Sequence, residues 1–272
     1  MPTIFFTTED PAGSSIAMNL VYEHGFVEKP ELLKEGTKYK NWFGPGNLSL
    51  VELQGHLYEA EYLQHLFPAG DLWVFASRHV SDARIAAFTV HSTGNWGSRA
   101  SVGGQPQQLG MTSAKAMKAA FSFFQANPLP GFEVTLEATH HGPTTLTTPS
   151  LWVELGSTPE QWKNPKAADV VARAILYTCQ NYPKQKGIVA LGFGGTHYAS
   201  NFNKLQGKEH AFSHIAPKHA LDSLDAALIK QAMDKTHEKV QLALVDWKGC
   251  TGQQRQRVLT ALETAGLKWE KV

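Results

Sequence analysis

Apolar and polar positions along the chain follow two periods that take turns. Thr3–Thr7 is a short apolar run that predicts a strand; Asp10-Pro11 then reads as an N-cap and first helical residue, with Ile16, Ala17, Leu20 and Val21 striping the helix. Asn47–Leu53, Leu72–Ser77, Arg84–His91, Leu151–Leu155, Gly187–Leu191 and Val240–Trp247 read as strands, and Leu267–Glu270 as a last edge strand. Phe132–Glu137 alternates strictly, placing Glu133, Thr135 and Glu137 on one face. Helical spacing covers 59–67, 113–127, a stripe from Ala167 to Thr178 behind Asn164-Pro165, and 222–234. Thr158 with Gln161, and Thr251 with Gln254, have the form of capping boxes, the second opening a helix that runs to Gly266.

Strands alternating with helices predict an α/β layered fold, and strands 72–77 and 84–91, with no helix between them, predict a mixed sheet. With no repeat and no linker, the chain reads as a single domain over 1–272. Loop insertions are expected near 28–47, which is rich in Lys, Glu, Gly and Pro, and near 94–112, which is rich in glycine.

The longest apolar run, Leu72–Ala76, is far short of the roughly 20 residues that cross a bilayer. No basic leader precedes Glu9 and Asp10, so a soluble, cytoplasmic protein is expected. Two cysteines, Cys179 and Cys250, exclude a thiolate zinc cluster and a disulfide framework. Any metal must therefore be held by imidazole and carboxylate, and the chain has 12 histidines to offer. A net charge of +1 decides nothing about RNA, because a local patch suffices.

Reactive residues gather in four segments at predicted strand ends: Ser77-Arg78-His79, Thr89-Val90-His91 with Gly94-Asn95, Glu137-Ala138-Thr139-His140-His141-Gly142-Pro143, and Gly192-Phe193-Gly194-Gly195-Thr196-His197-Tyr198. Ligands of open α/β sheets bind beyond the carboxyl ends of strands, so the four can converge on one pocket. Zinc lowers the pKa of bound water to about 7 and polarises a carbonyl. His79, His140, His141 and His197 are the candidate metal ligands, and Glu137, His140, Glu154 and Thr196 the candidate catalytic residues. Gly142, Gly194 and Gly195 let backbone N–H groups approach an oxyanion, and Tyr198 and Lys218 complete the candidate substrate contacts. His24, His56, His65, His210 and His237 are read as ordinary surface or hydrogen-bonded residues. The glycine block is no dinucleotide fingerprint, since His197 stands where the third glycine belongs. The sequence has no G-x-S-x-G elbow, Walker loop or H-E-x-x-H helix.

Glu137–Pro143, followed by Pro149–Thr158 and Trp162, resembles the signature of the zinc-dependent archaeal and plant D-aminoacyl-tRNA deacylases. Gly192–Tyr198, Ser77-Arg78-His79, Thr89-Val90-His91, His214-Ile215-Ala216-Pro217-Lys218 and Asp246-Trp247-Lys248-Gly249 extend the resemblance nearly end to end. Ala199-Ser200 departs from it, standing where the family often has Ala-Pro. The resemblance implies a three-layer α/β/α, phosphorylase/hydrolase-like fold with a mixed central sheet, related to peptidyl-tRNA hydrolase. It also implies one or two zinc ions per chain, a monomer, and the acceptor end of D-aminoacyl-tRNA as partner, with no DNA and no membrane. The implied reaction is hydrolysis of the ester to the terminal ribose, by metal-activated water or by positioning with assistance from the ribose 2′-OH. The rival readings are a zinc amidase or peptidase on small acylated substrates, a nucleoside phosphorylase, and a non-catalytic RNA-binding module.

Overall fold

The computed structural model describes residues 1–272. Its larger sheet has eight strands: β1 (Thr3–Thr7), β2 (Val27–Lys34), β3 (Thr37–Gly44), β4 (Leu48–Leu53), β5 (Trp73–Val80), β6 (Ala87–His91), β9 (Glu133–Leu136) and β10 (Ser150–Ser157). Their order is β2-β3-β4-β1-β5-β10-β6-β9. The sheet is mixed: β1, β4, β5 and β10 run parallel, β6 runs against β10, and β9 joins parallel to β6. A second sheet, wholly parallel, has the order β12-β11-β13-β14, from β11 (Ile188–Phe193), β12 (His210–Ala216), β13 (Leu242–Val245) and β14 (Trp269–Lys271). A small ribbon pairs β7 (Gly94–Asn95) with β8 (Gln108–Leu109) inside the glycine-rich loop.

Alternation along the strands decides what each face does. Leu151, Val153 and Leu155 of β10 enter a core with Ile16 and Leu20 of α1 (Pro11–Glu23), Phe121 and Phe124 of α3 (Ala114–Ala126), and Val171 and Ile175 of α5 (Pro165–Asn181). Phe5, Trp73, Phe75 and Trp152 leave the opposite face and form an aromatic cluster under residues 57–67, where α2 (Leu63–Leu66) follows a short 3₁₀ turn. The second sheet also packs on both faces. Ala190 joins the α3 core, whereas Leu191, Phe193 and Val245 pack with α7 (Ala226–Asp234) and α8 (Gly252–Ala265).

Local signals match these elements closely. Asp10 caps α1, both capping boxes form at α4 (Pro159–Trp162) and α8, and Gly266 ends α8 in the left-handed conformation. Residues 28–47 are not a loop insertion: β2 and β3 form a hairpin that extends the large sheet through β4. The edge strand β2 is almost wholly exposed, so it has no apolar period to read, and its charges and Pro30 blunt the edge. The sequence reading also omitted α6 (Ser200–Gln206) and β12. The latter is buried at every position, with His210, Ser213 and His214 interrupting its apolar run.

Candidate active site

The aromatic face of the large sheet turns polar toward the ends of β5 and β6. His79 of β5, Glu154 of β10, and Thr89 and His91 of β6 stand together there, because Glu154 pairs in register with Ser77 on one side and Thr89 on the other. Gly156 is required beside them, since a Cβ at that position would lie 2.6 Å from the Cβ of His79. The chain beyond β9 adds Glu137, His140 and His141, and the loop beyond β11 adds His197 and Tyr198. A bridge between Glu137 and Tyr198 ties the two sheets together at this seam. The result is a cavity of about 360 Å³ whose wall includes His79, Glu137, His140, His141, Trp152, Glu154 and His197.

Three imidazoles share one hydrogen-bond pattern. The Nδ1 atoms of His91, His140 and His141 lie 3.1, 2.8 and 2.6 Å from the carbonyl oxygens of Ser92, Ala138 and Gly142. A carbonyl only accepts, so each Nδ1 carries the hydrogen; the neutral rings of His140 and His141 direct a free Nε2 lone pair elsewhere, and His91 does the same once its Nε2, which faces Glu154, gives up its proton. The ligating nitrogens of the three rings lie within 4.8 Å of one another. The Nε2 of His91 is buried with no hydrogen-bond partner, 3.6 Å from Glu154 Oε1. Carbonyl-anchored histidines with converging lone pairs, one of them orphaned, fit a metal ion of imidazole preference.

The carboxylates have separate partners. Glu137 is 1 % exposed; its Oε1 lies 2.9 Å from His79 Nδ1, and its Oε2 lies 2.7 Å from His197 Nε2 and 3.7 Å from His140 Nε2. Glu154 accepts from Thr89 Oγ1 at 3.1 Å and faces His79 Nδ1 at 3.7 Å. The other ring nitrogen of His79 meets the Tyr198 hydroxyl at 2.7 Å.

Burial opposes every charge here, and the partners decide each outcome. Burial works against the His79 imidazolium, but the hydrogen bonds and charges of Glu137 and Glu154 outweigh it and push the group up to about 11. His91 is also raised, the charge of Glu154 outweighing burial. Glu137 is held well below the carboxylate range because its bonds to His197 and His79 outweigh burial, and Glu154 is held at about 2 by His91 and His79. Burial, then the charge of His91, keeps His140 and His141 neutral, His141 down at about 4.

Of the residues expected from sequence, His79, Glu137, His140, His141, Glu154 and His197 come together. His79 belongs to a group with Glu137 and Glu154, but both its nitrogens already have partners. The Tyr198 hydroxyl is spent on His79. Two expected oxyanion donors are committed elsewhere: Gly142 N–H donates to Val102 O at 3.0 Å, and Gly194 N–H to Ala216 O at 2.8 Å. Thr196 Oγ1 donates to Tyr198 O at 2.8 Å, and Thr196, Gly195 and Lys218 line a different crevice. His91 was missed as a ligand candidate, although the alternation of Thr89 and His91 on one strand face was legible. Trp152 was missed too; its indole Nε1 is buried without a partner in the wall of the cavity.

Fold and site together define the class: an α/β protein with a cluster of imidazoles that could hold a metal ion beside two ionised carboxylates in one cavity, side chains of the types that hydrolases use. The family model described as D-aminoacyl-tRNA deacylase matches residues 67–270, and the chain belongs to that family. Relatives named D-aminoacyl-tRNA deacylase include one from Thermococcus kodakarensis, 38% identical over 99% of both chains, and one from Pyrococcus abyssi, 35% identical over 100% of both. The crystal structure of a conserved protein of unknown function, AF0625, superposes with a TM-score of 0.87 at 30% identity, covering 100% of this chain and 95% of that one.

Proposed function

We infer that the chain hydrolyses the ester joining a D-amino acid to the terminal ribose of tRNA, releasing the free amino acid and tRNA. Family membership names the reaction. The observation that carries the chemistry is the convergence of three carbonyl-anchored imidazoles beside Glu137 and Glu154 in one cavity.

We assign a zinc ion to His91, His140 and His141 through their Nε2 atoms, with Glu137 and His197 next to them. When bound, zinc supplies Lewis acidity to the ester carbonyl and to water. Three candidate ligand groups exist, but His140 is shared between two of them and has one free lone pair, which favours one ion over two. Glu137 is placed to take the proton of the attacking water, and the half-exposed His197, 2.7 Å away, to return it to the leaving ribose oxygen. His79, charged and clamped between Glu137 and Tyr198, holds Glu137 in place. The Trp152 indole N–H has no other partner and is the donor offered to the carbonyl oxygen.

No helix is long and apolar enough to cross a membrane, and both cysteines are buried and unpaired, which suits a reducing compartment. We read the protein as a cytoplasmic monomer, as its resemblance to the deacylases implies, and the 272 residues as one domain around one site. The test is hydrolysis of D-tyrosyl-tRNA against L-tyrosyl-tRNA, with chelator and with zinc restored. Loss of the D-ester alone, stopped by chelator and rescued by zinc, supports the whole reading. Chelator-insensitive loss removes the metal from the mechanism and leaves positioning with 2′-OH assistance. Turnover of neither ester sinks the deacylase assignment.

A further inference from the structure

The second sheet has a feature that the catalytic cavity does not use. From β11 the chain turns through α6 to β12 on one side, whereas from β13 it turns through α8 to β14 on the other. The carboxyl ends of β11 and β13 therefore flank a topological switch point, the place where open α/β sheets take ligands. A crevice of about 400 Å³ lies there, lined by Gly195, Thr196, Asn201, Lys218, Asp246 and Lys248. It shares no lining residue with the catalytic cavity.

We propose that this crevice is a phosphodiester subsite that holds the sugar–phosphate backbone of the substrate's 3′ strand while the terminal ester lies in the catalytic cavity. This rests on the deacylase reading. The floor is built around Asp246, 3 % exposed, whose carboxylate accepts from Gly249 N–H and Asn201 Nδ2, both at 2.9 Å. Glycine is needed opposite it, since a Cβ at Gly249 would stand 2.4 Å from Asp246 Oδ2. Neither Lys218 nor Lys248 forms an ion pair. Two ammonium groups against one carboxylate leave the crevice with an excess of one positive charge, which suits a singly charged phosphodiester. The loop that lines it also carries the catalytic side: His197 reaches Glu137, and its neighbours Thr196 and Tyr198 face the crevice. A strand can therefore pass from one to the other. A dinucleotide cofactor is the poorer fit, because His197 replaces the third glycine of that fingerprint.

The test compares Lys248→Gln with wild type on two esters, D-tyrosyl-tRNA and the phosphate-free 3′-O-D-tyrosyl-adenosine. Lys248→Gln is expected to raise KM for the tRNA ester roughly tenfold with kcat unchanged. Its dependence of log kcat/KM on log salt should be shallower by about 0.7, the share of one phosphate on a single strand. The nucleoside ester should be hydrolysed at the wild-type rate, and Lys248→Arg should recover most of the lost affinity. An unchanged KM for the tRNA ester, or equal loss on both esters, overturns the proposal while leaving the deacylase assignment intact. Inhibition of nucleoside-ester hydrolysis by AMP that vanishes in Lys248→Gln would give the crevice to a free nucleotide and overturn the strand assignment. A wild type inert toward both esters removes the deacylase reading and this proposal with it.

Discussion

Replacing Glu137 by glutamine keeps the shape of the side chain and removes its charge. In the structure that charge is shared by His79 Nδ1 at 2.9 Å and His197 Nε2 at 2.7 Å, behind a side chain only 1 % exposed. Breaking a buried pair by removing one partner costs about 3–5 kcal/mol. Here the lower end applies, because Glu154 Oε2 remains 3.7 Å from the same nitrogen of His79. About 3 kcal/mol corresponds to a fall of roughly 6–10 °C in Tm for a chain of this size. Urea and thermal unfolding should be followed in chelator, so that loss of metal does not enter the comparison. Turnover of D-tyrosyl-tRNA at saturating zinc should fall at least about a hundredfold, the usual worth of a positioned proton acceptor. A variant that keeps its activity but loses stability would confine Glu137 to holding His79. A variant within about 0.5 kcal/mol of wild type and within a few-fold in rate would refute the reasoning outright.

Other substitutions separate the remaining roles. His141→Ala removes one of three converging lone pairs, and zinc retained after dialysis should drop from one ion per chain to a small fraction of that; undiminished zinc would exclude the three-imidazole site. Trp152→Phe preserves the stack on Phe75, whose ring centroid is 5.2 Å away, but deletes the unpartnered N–H; kcat should fall about tenfold or more with KM little changed. The pH dependence of metal-free stability follows from His79, raised from its ordinary 6.5 to about 11 by the two glutamates. Its stabilising contribution is complete below pH 6.5 and declines as pH rises toward 11, so the urea midpoint should fall between pH 7 and 10, and His79→Gln should flatten that slope. A wild-type midpoint that holds constant over this range would show that His79 is not charged in the folded protein.

Much of this was legible because the signals are local. Asp10 capping α1, the two capping boxes and the terminal glycine of α8 depend on residues a few positions apart, and all four appear as the sequence predicts. The gathering of His79, Glu137, His140, His141, Glu154 and His197 was legible for another reason: reactive side chains at successive strand ends have few places to go in an α/β sheet. What sequence concealed depends on partners distant along the chain. Nothing near Gly142 or Gly194 announces that their N–H groups belong to Val102 and Ala216. Nothing in the polar edge strand β2 shows that it pairs with β3. The division of the strands into two sheets is settled by long-range register.

The bridge from Glu137 to Tyr198 places the two halves of the centre on different sheets. His91, His140, His141 and both glutamates precede β11, whereas His197 and the tyrosine clamp follow it. On the ribosome, all the metal-binding imidazoles assigned here emerge before the second sheet has been made, and that sheet is complete only when β14 leaves the exit tunnel. The segment that carries His140 and His141 is itself pinned by the later chain, Ala138 N–H to His197 O at 2.8 Å and Thr139 N–H to Ile215 O at 2.9 Å, so a fragment cut between the sheets loses the hold on these imidazoles together with His197 and the tyrosine clamp. Competence to hydrolyse charged tRNA is withheld until the second sheet has formed.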